Sequence, residues 1–278
     1  MIEGVFLGTG ASKPSAERNP SSIFLRTEGL TILLDCGEGT QKHLLRFAPE
    51  FFVDVIIISH HHTDHDHGLK PYLQTMNLQN RKDPLYIYTP EPPKIDKLID
   101  LQTLDYKVHV IKAYQGVKFI HKKSTITFEK ATHSIPCIGT LIESKDKTRY
   151  NREALLKLPE VKRTNLFTEK SKDLEAYRLP DCPRYSLYYS GDTLWNPLVL
   201  KKVHPRGLVI HECTFTESED LLTAKKKHHT HLTEIDIEGD HILTHIGGKI
   251  PVDKLPKIYP LKRGLWAKDG LKFTNKIW

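Results

Sequence analysis

Cysteine is scarce in this chain: Cys36, Cys137, Cys182 and Cys213 among 278 residues, with no two of them forming a C-x-x-C pair. That scatter speaks against a disulfide framework and against a cysteine-based zinc site, and leaves buried free thiols as the plain reading. Long apolar runs are also missing. The longest, Val53 to Ser59, has the size of one strand and falls far short of the ~20 residues of a membrane-spanning helix. The opening Met1-Ile2-Glu3-Gly4-Val5-Phe6 enters an apolar stretch with no basic leader, so a cytoplasmic location without a membrane partner is expected. No low-complexity tract or internal repeat divides the chain, and with 38% hydrophobic residues it has material for a sizeable core. One domain over residues 1–278 is therefore expected. Acidic residues are in the minority: 34 Asp and Glu face 41 Lys and Arg, a formal charge of +7. This suits a phosphate-rich partner, although runs such as Lys225-Lys226-Lys227 also serve simply as solvated surface.

What the chain does have is strand-sized apolar segments separated by turns. Ile2–Leu7, Ser22–Arg26, Thr31–Asp35 and Val53–Ser59 read as strands, the last so continuously apolar that burial on both faces is expected. Gln41–Phe47, Leu69–Leu78 and Pro93–Leu101 read as helices. Leu85–Tyr88, Lys107–Ile111, Val117–His121, Thr125–Lys130 and Ile138–Ile142 continue the strand pattern, which returns at Ser186–Ser190, Leu208–His211 and His241–Thr244, with Gly270–Phe273 as a closing strand. Between them, about 144–184 is charged and without strong period, an excursion from the core with one helix predicted at Arg152–Leu158.

Histidine is abundant, with sixteen residues, and it gathers in His60-His61-His62-Thr63-Asp64-His65-Asp66-His67 directly after the Val53–Ser59 strand. A loop at the C-terminal edge of a strand can aim several side chains into one cleft. Imidazole and carboxylate suit zinc and similar borderline ions. A histidine tag would sit at a terminus with no core strand before it. Three histidines and an aspartate exceed the needs of one tetrahedral structural ion and make half of a two-ion site. Three further residues stand at strand ends: His133, Asp192 in Ser190-Gly191-Asp192-Thr193, and His245. Each alone is more often a hydrogen-bonded structural residue; together they complete the coordination.

This order of motifs resembles the metallo-β-lactamase superfamily, and within it ribonuclease Z. Leu7-Gly8-Thr9-Gly10-Ala11, the substrate-side loop Pro14-Ser15-Ala16-Glu17-Arg18-Asn19, Leu34-Asp35-Cys36-Gly37-Glu38-Gly39-Thr40-Gln41 and Ile210-His211-Glu212-Cys213-Thr214-Phe215 carry the resemblance. It implies an α/β fold: an αββα sandwich of two mixed sheets packed face to face with helices outside. It implies two divalent ions, zinc or else manganese. One is held by His60, His62 and His133, the other by Asp64, His65 and His245, and Asp192 bridges them. Such a pair activates water and stabilises the oxygens of an in-line phosphoryl displacement, and Asp64 is placed to orient that water. The resemblance further implies a histidine acid oriented by Glu212. His228, His229 and His231 compete for that role, with His229, followed by Thr230, favoured narrowly over His231.

Three departures bear on the substrate. The excursion lacks the Gly-Pro motif of the ribonuclease Z arm that grips tRNA and is short for such an arm. His245 is followed by Ile246-Gly247-Gly248-Lys249 where the family commonly has Ser-x-Arg-Tyr, and the segment from His229 to His245 is too short for the usual helix. Gripping a whole tRNA needs many spaced phosphate contacts. The layout resembles the anti-Pycsar phage relatives of ribonuclease Z, which hydrolyse cyclic mononucleotides and complete their sites across a dimer. A cyclic-nucleotide phosphodiesterase acting as a homodimer is thus the leading expectation, with precursor-tRNA 3′-end processing as the alternative. A lactonase or thioesterase is disfavoured by the Gly-Asp-Thr and His-Glu blocks, and a non-catalytic binding protein by the intact ligand set. Tyr72, Trp195 and Phe215 are candidates to stack on a base, with core packing as the competing reading.

Overall fold

The computed structural model describes residues 1–13, 15–144, 147–168, 172–251 and 253–275. Pro14 of the substrate-side loop and residues 145–146 and 169–171 of the excursion lie outside them. Among the described residues the strands, in chain order, are β1 Ile2–Gly8, β2 Ser22–Arg26, β3 Thr31–Leu34, β4 Val55–Ile57, β5 Leu85–Thr89, β6 Val108–Lys112, β7 Lys118–His121, β8 Ser124–Lys130, β9 Ile138–Ser144, β10 Lys147–Tyr150, β11 Arg178–Cys182, β12 Ser186–Tyr189, β13 Leu208–Glu212, β14 Asp240–Thr244, β15 Gly264–Trp266 and β16 Lys272–Asn275.

They form two mixed seven-stranded sheets, in the orders β16-β1-β2-β3-β4-β5-β6 and β15-β14-β13-β12-β9-β8-β7, and β10 pairs with β11 as a separate two-stranded sheet. The first sheet is antiparallel from β16 to β3 and parallel from β3 to β6. The second is antiparallel from β7 through β9 to β12 and parallel from β12 to β15. Side chains alternate faces along a strand. Ile32, Leu34, Val55, Ile57 and Tyr88 accordingly turn inward against Phe128, Ile142, Leu187, Ile210 and Ile242 of the opposite sheet. Leu33, Ile56 and Ile87 turn outward onto a second core with Leu69, Tyr72, Leu73 and Met76 of the helix Leu69–Leu78. Each such buried aliphatic side chain contributes about 1.5–3 kcal/mol. This double coverage is why β4 reads as an unbroken apolar run.

Several boundaries differ from the sequence expectation. The β4 ladder ends at Ile57, not Ser59, because the Ser59 amide donates to the Asp35 carboxylate (2.6 Å) and leaves the sheet. β15, only three residues long, carries no period to read and was not expected. The excursion is more ordered than its composition suggests. The strand pair β10–β11 brackets helices Arg152–Leu156 and Glu160–Thr168, and Leu155, Leu166 and Leu174 form a small core of their own. Tyr72 is wholly buried with its hydroxyl donating to the Phe51 carbonyl (2.6 Å), so it is a core residue and not a base-stacking surface. Cys36, Cys137 and Cys213 are buried free thiols. No helix among the described residues is long and apolar enough to cross a membrane.

Candidate metal centre

Both parallel blocks aim their C-terminal ends at the same end of the sandwich, and the polar strand-end residues meet there. Asp35 follows β3, His60 to His65 follow β4, His133 follows β8, Asp192 follows β12, Glu212 ends β13 and His245 follows β14. The turn at Gly191 needs glycine: its φ is +58°, and a Cβ would lie 2.9 Å from the Ile138 carbonyl oxygen and 3.0 Å from the Ser59 side chain.

Seven inward-facing donors converge. His60 Nε2 and His133 Nε2 lie 3.0 and 3.2 Å from His62 Nδ1. His245 Nε2 lies 3.2 Å from His65 Nε2 and 3.1 Å from Asp64 Oδ2. Asp192 Oδ2 stands between the two groups, 3.6 Å from His60, 3.4 Å from His65, 3.4 Å from His245 and 4.0 Å from His133. Four of the five outer ring nitrogens are already committed as donors. His60 Nδ1 faces Ser59 Oγ (3.0 Å), His65 Nδ1 faces Asp35 Oδ2 (2.8 Å), His133 Nδ1 faces the His228 carbonyl (2.9 Å) and His245 Nδ1 faces Thr214 Oγ1 (2.8 Å). The hydroxyls of Ser59 and Thr214 give their protons to Asp35 and Glu212, so they accept from the rings. The inner nitrogens therefore point toward one another at about 3 to 4 Å. That is the edge length of a coordination shell with bonds of about 2.0–2.1 Å. Asp192 Oδ1 is buried with no hydrogen-bond partner among the described residues, and a cation would satisfy it. The two clusters, His60–His62–His133–Asp192 and Asp64–His65–His245, fit a binuclear site.

The protonation states agree. Burial pushes His60 well below its ordinary value and lowers His62 and His133, so these rings are neutral and can coordinate. Burial also opposes charge on His65, but Asp192 and Asp35 outweigh it and hold the ring protonated. A cation at Nε2 would take that proton's place. Against its own burial, Asp64 is held below the ordinary carboxylate range by the His245 hydrogen bond and the neighbouring His65.

Asp35 was in view in the sequence only as part of a resembling block. Its buried carboxylate accepts from the Ser59 amide and hydroxyl, His65 Nδ1 and the Tyr189 hydroxyl (2.6, 2.9, 2.8 and 2.6 Å). It thereby joins the ligand loop to both sheets. His61, outside the ligand set, turns the other way, with Nδ1 on Asp66 (2.8 Å) and Nε2 on the Thr89 hydroxyl (2.6 Å), tying the loop to β5.

The three histidines proposed as the acid separate cleanly. His229 Nδ1 donates to Glu212 (3.0 Å), and its ring stacks on His245 at 5.5 Å beside the ligands. His231 is fully buried with Nε2 on the Glu217 carbonyl and Nδ1 on the Thr233 hydroxyl (both 2.8 Å), capping the short turn Leu232–Glu234, so its ring is not brought into the centre. His228 reaches the centre only through its backbone carbonyl. Glu212 is buried and accepts from the amides of Thr193, Thr214 and Thr230 as well as from His229. Burial opposes charge on His229, but Glu212 overcomes it and raises the ring to about 9. Trp195 packs 5.2 Å from the His211 ring, and Phe215 lies 6.0 Å from His229.

The family model described as Anti-Pycsar protein Apyc1 matches residues 2–145. Ribonuclease Z of Methanosarcina acetivorans is 30% identical over 285 residues, covering 95% of this chain and 93% of that protein. Ribonuclease Z of Pyrococcus horikoshii is 33% identical, over 84% of this chain and 80% of that one. Among solved structures, the short form of human tRNase Z superposes with a TM-score of 0.70 at 23% identity over 99% of this chain and 100% of that one. The metallo-β-lactamase fold protein YhfI of Bacillus subtilis gives 0.69 at 18% identity over 99% of this chain and 100% of that one. Those two likenesses carry the fold, the sequence matches carry the family, and the chain therefore belongs to the ribonuclease Z-like hydrolases of metallo-β-lactamase fold and, among them, to the anti-Pycsar Apyc1 family.

Proposed function

We propose that this chain is a two-metal phosphodiesterase that opens small cyclic nucleotides, such as cyclic CMP, UMP, AMP and GMP, and so counteracts cyclic-nucleotide antiphage signalling. The match of residues 2–145 to the Apyc1 family carries the substrate class. His60, His62 and His133 would hold one ion and Asp64, His65 and His245 the other, with Asp192 shared between the two groups, zinc favoured by the nitrogen-rich donor set and manganese as the alternative. Such ions, when bound, supply Lewis acidity and an activated water. Asp64 would orient the attacking water. Glu212 keeps the His229 ring charged and aimed, and His229 gives its proton to the departing ester oxygen. His231, whose ring is engaged elsewhere, has no part in the step. By the same resemblance the working form is a cytoplasmic homodimer, which sedimentation of the purified protein tests.

Cleavage of precursor tRNA at its 3′ end is the second reading, favoured by the near full-length similarity to ribonuclease Z. The purified protein, supplied with zinc or manganese, should be assayed against a panel of cyclic nucleotides and a precursor tRNA. Ring opening of a cyclic mononucleotide is the expected result. Cleavage of tRNA with no turnover of any cyclic nucleotide rejects the first reading in favour of the second.

A further inference from the structure

Arg18 lies in the segment that resembles the substrate-side loop of ribonuclease Z, yet it is only 3% exposed. Its fork points inward. Nη1 donates to the Gly247 carbonyl (2.9 Å) and Nη2 to the Ile250 carbonyl (2.8 Å). These acceptors stand two and five residues beyond His245. The loop between them is gripped from the same side by the N-terminal turn: the Ile246 amide donates to the Thr9 carbonyl (2.9 Å) and the Ala11 amide to the Ile246 carbonyl (3.3 Å). From the other side the Gly247 amide donates to the Thr214 carbonyl (3.2 Å), and the approach is so close that a Cβ on residue 247 would lie 2.7 Å from that oxygen.

His245 needs such a grip. Its φ is +54°, the left-handed region that a non-glycine residue rarely adopts and that persists only where the surroundings over-determine it. Its Nε2 must nevertheless stay 3.1 Å from Asp64 and 3.2 Å from His65. The loop that follows, Ile246-Gly247-Gly248-Lys249, is anchored at its ends by the buried Ile246 side chain and by Lys249 on Asp220 (2.6 Å), while the two glycines between them carry no side chain to brace it. A planar guanidinium that spans two carbonyls supplies the brace, and a lysine, with one point charge, cannot reproduce the fork.

We infer that Arg18 is a positioning residue that fixes the loop after His245 and thereby sets the Asp64–His65–His245 cation site, and is not a phosphate contact on the substrate side. The inference rests on the reading of those three residues as cation ligands. Wild type, Arg18→Ala, Arg18→Lys and Gly247→Ala should be equilibrated with zinc in a chelator buffer and the bound metal counted, with melting of each metal-free protein followed by circular dichroism. Wild type should hold two ions. Arg18→Ala should lose one of them, its affinity weakened ~10–100-fold as for other outer-shell partners of metal ligands, while the second ion and the metal-free melting point are retained. Methylguanidinium should restore the lost ion, Arg18→Lys should recover it in part, and Gly247→Ala should show the same selective loss. Two ions held by Arg18→Ala as tightly as by wild type overturn the inference. Equal loss of both ions, or collapse of the metal-free fold in both Arg18→Ala and Arg18→Lys, overturns it as well, because the arginine then acts on the fold at large. A wild type that binds no zinc or manganese overturns the cation reading itself, a result distinguishable from the others.

Discussion

At the scale of single residues, the pair Glu212–His229 is where the proposed proton transfer can be tested apart from metal binding. Glu212 satisfies three backbone amides besides the ring, so it is rigid before any substrate arrives. His229→Ala should lower kcat by ~10²–10⁴-fold, the usual worth of a positioned acid, while the metal content measured by elemental analysis stays at the wild-type level. The pH dependence follows from the raised value of about 9 on His229. In the proposed role the protonated ring is the active form, so kcat should fall as pH rises through the ring's pKa. Glu212→Gln removes the charge that raises it, and the falling limb should move to lower pH. An unmoved limb in the pH–rate profile would assign it to another group. The ion pair's contribution to stability has the same sign: it is complete below the unfolded histidine's ordinary value and is lost as pH climbs through the folded one.

Among the elements, the ligand loop after β4 is shaped more by β3 than by its own sequence. Asp35, at φ +55°, gathers Ser59, His65 and Tyr189 onto one carboxylate. Asp35→Ala leaves those donors unpaired in a buried place, at a cost of about 1–3 kcal/mol for each. It should also weaken metal binding ~10–100-fold, which competition against a chromogenic chelator measures directly. The Asp35→Asn variant should fall between, since an amide retains an acceptor oxygen but presents an N–H where His65 also donates.

For the whole molecule, the ions and the substrate each leave a thermodynamic signature. The seven donors come from loops after β4, β8, β12 and β14 in both sheets, so a bound ion cross-links the sandwich. Zinc at one hundred times its dissociation constant stabilises the folded state by about 2.7 kcal/mol per site. Thermal melting should rise with added zinc, and the rise should shrink in His60→Ala. The salt dependence of turnover discriminates between the two proposed substrates. A tRNA held by many phosphate contacts loses ~10³–10⁵ in affinity between 50 and 200 mM salt, whereas a cyclic mononucleotide carries a single charge. Turnover of the preferred substrate should therefore be nearly flat in kcat/KM over that range.

The sequence by itself determined the sheet-forming runs, the excursion and the gathering of histidine and aspartate at strand ends that makes a candidate metal centre. Strand periodicity and the crowding of histidine and aspartate at strand ends are local properties, legible along the chain. Only the tertiary structure decided what depends on residues far apart in sequence. It placed His229 rather than His231 beside the ligands, because Glu212 reaches one ring while the Glu217 carbonyl and Thr233 hold the other. It put Asp35 against His65 across thirty positions. It turned Arg18 inward onto carbonyls 229 and 232 positions away, where the sequence, by resemblance, suggests a substrate-side loop. Hydrogen bonds of that separation leave no period or spacing to read, since their partners become neighbours only when both sheets have closed on the common core.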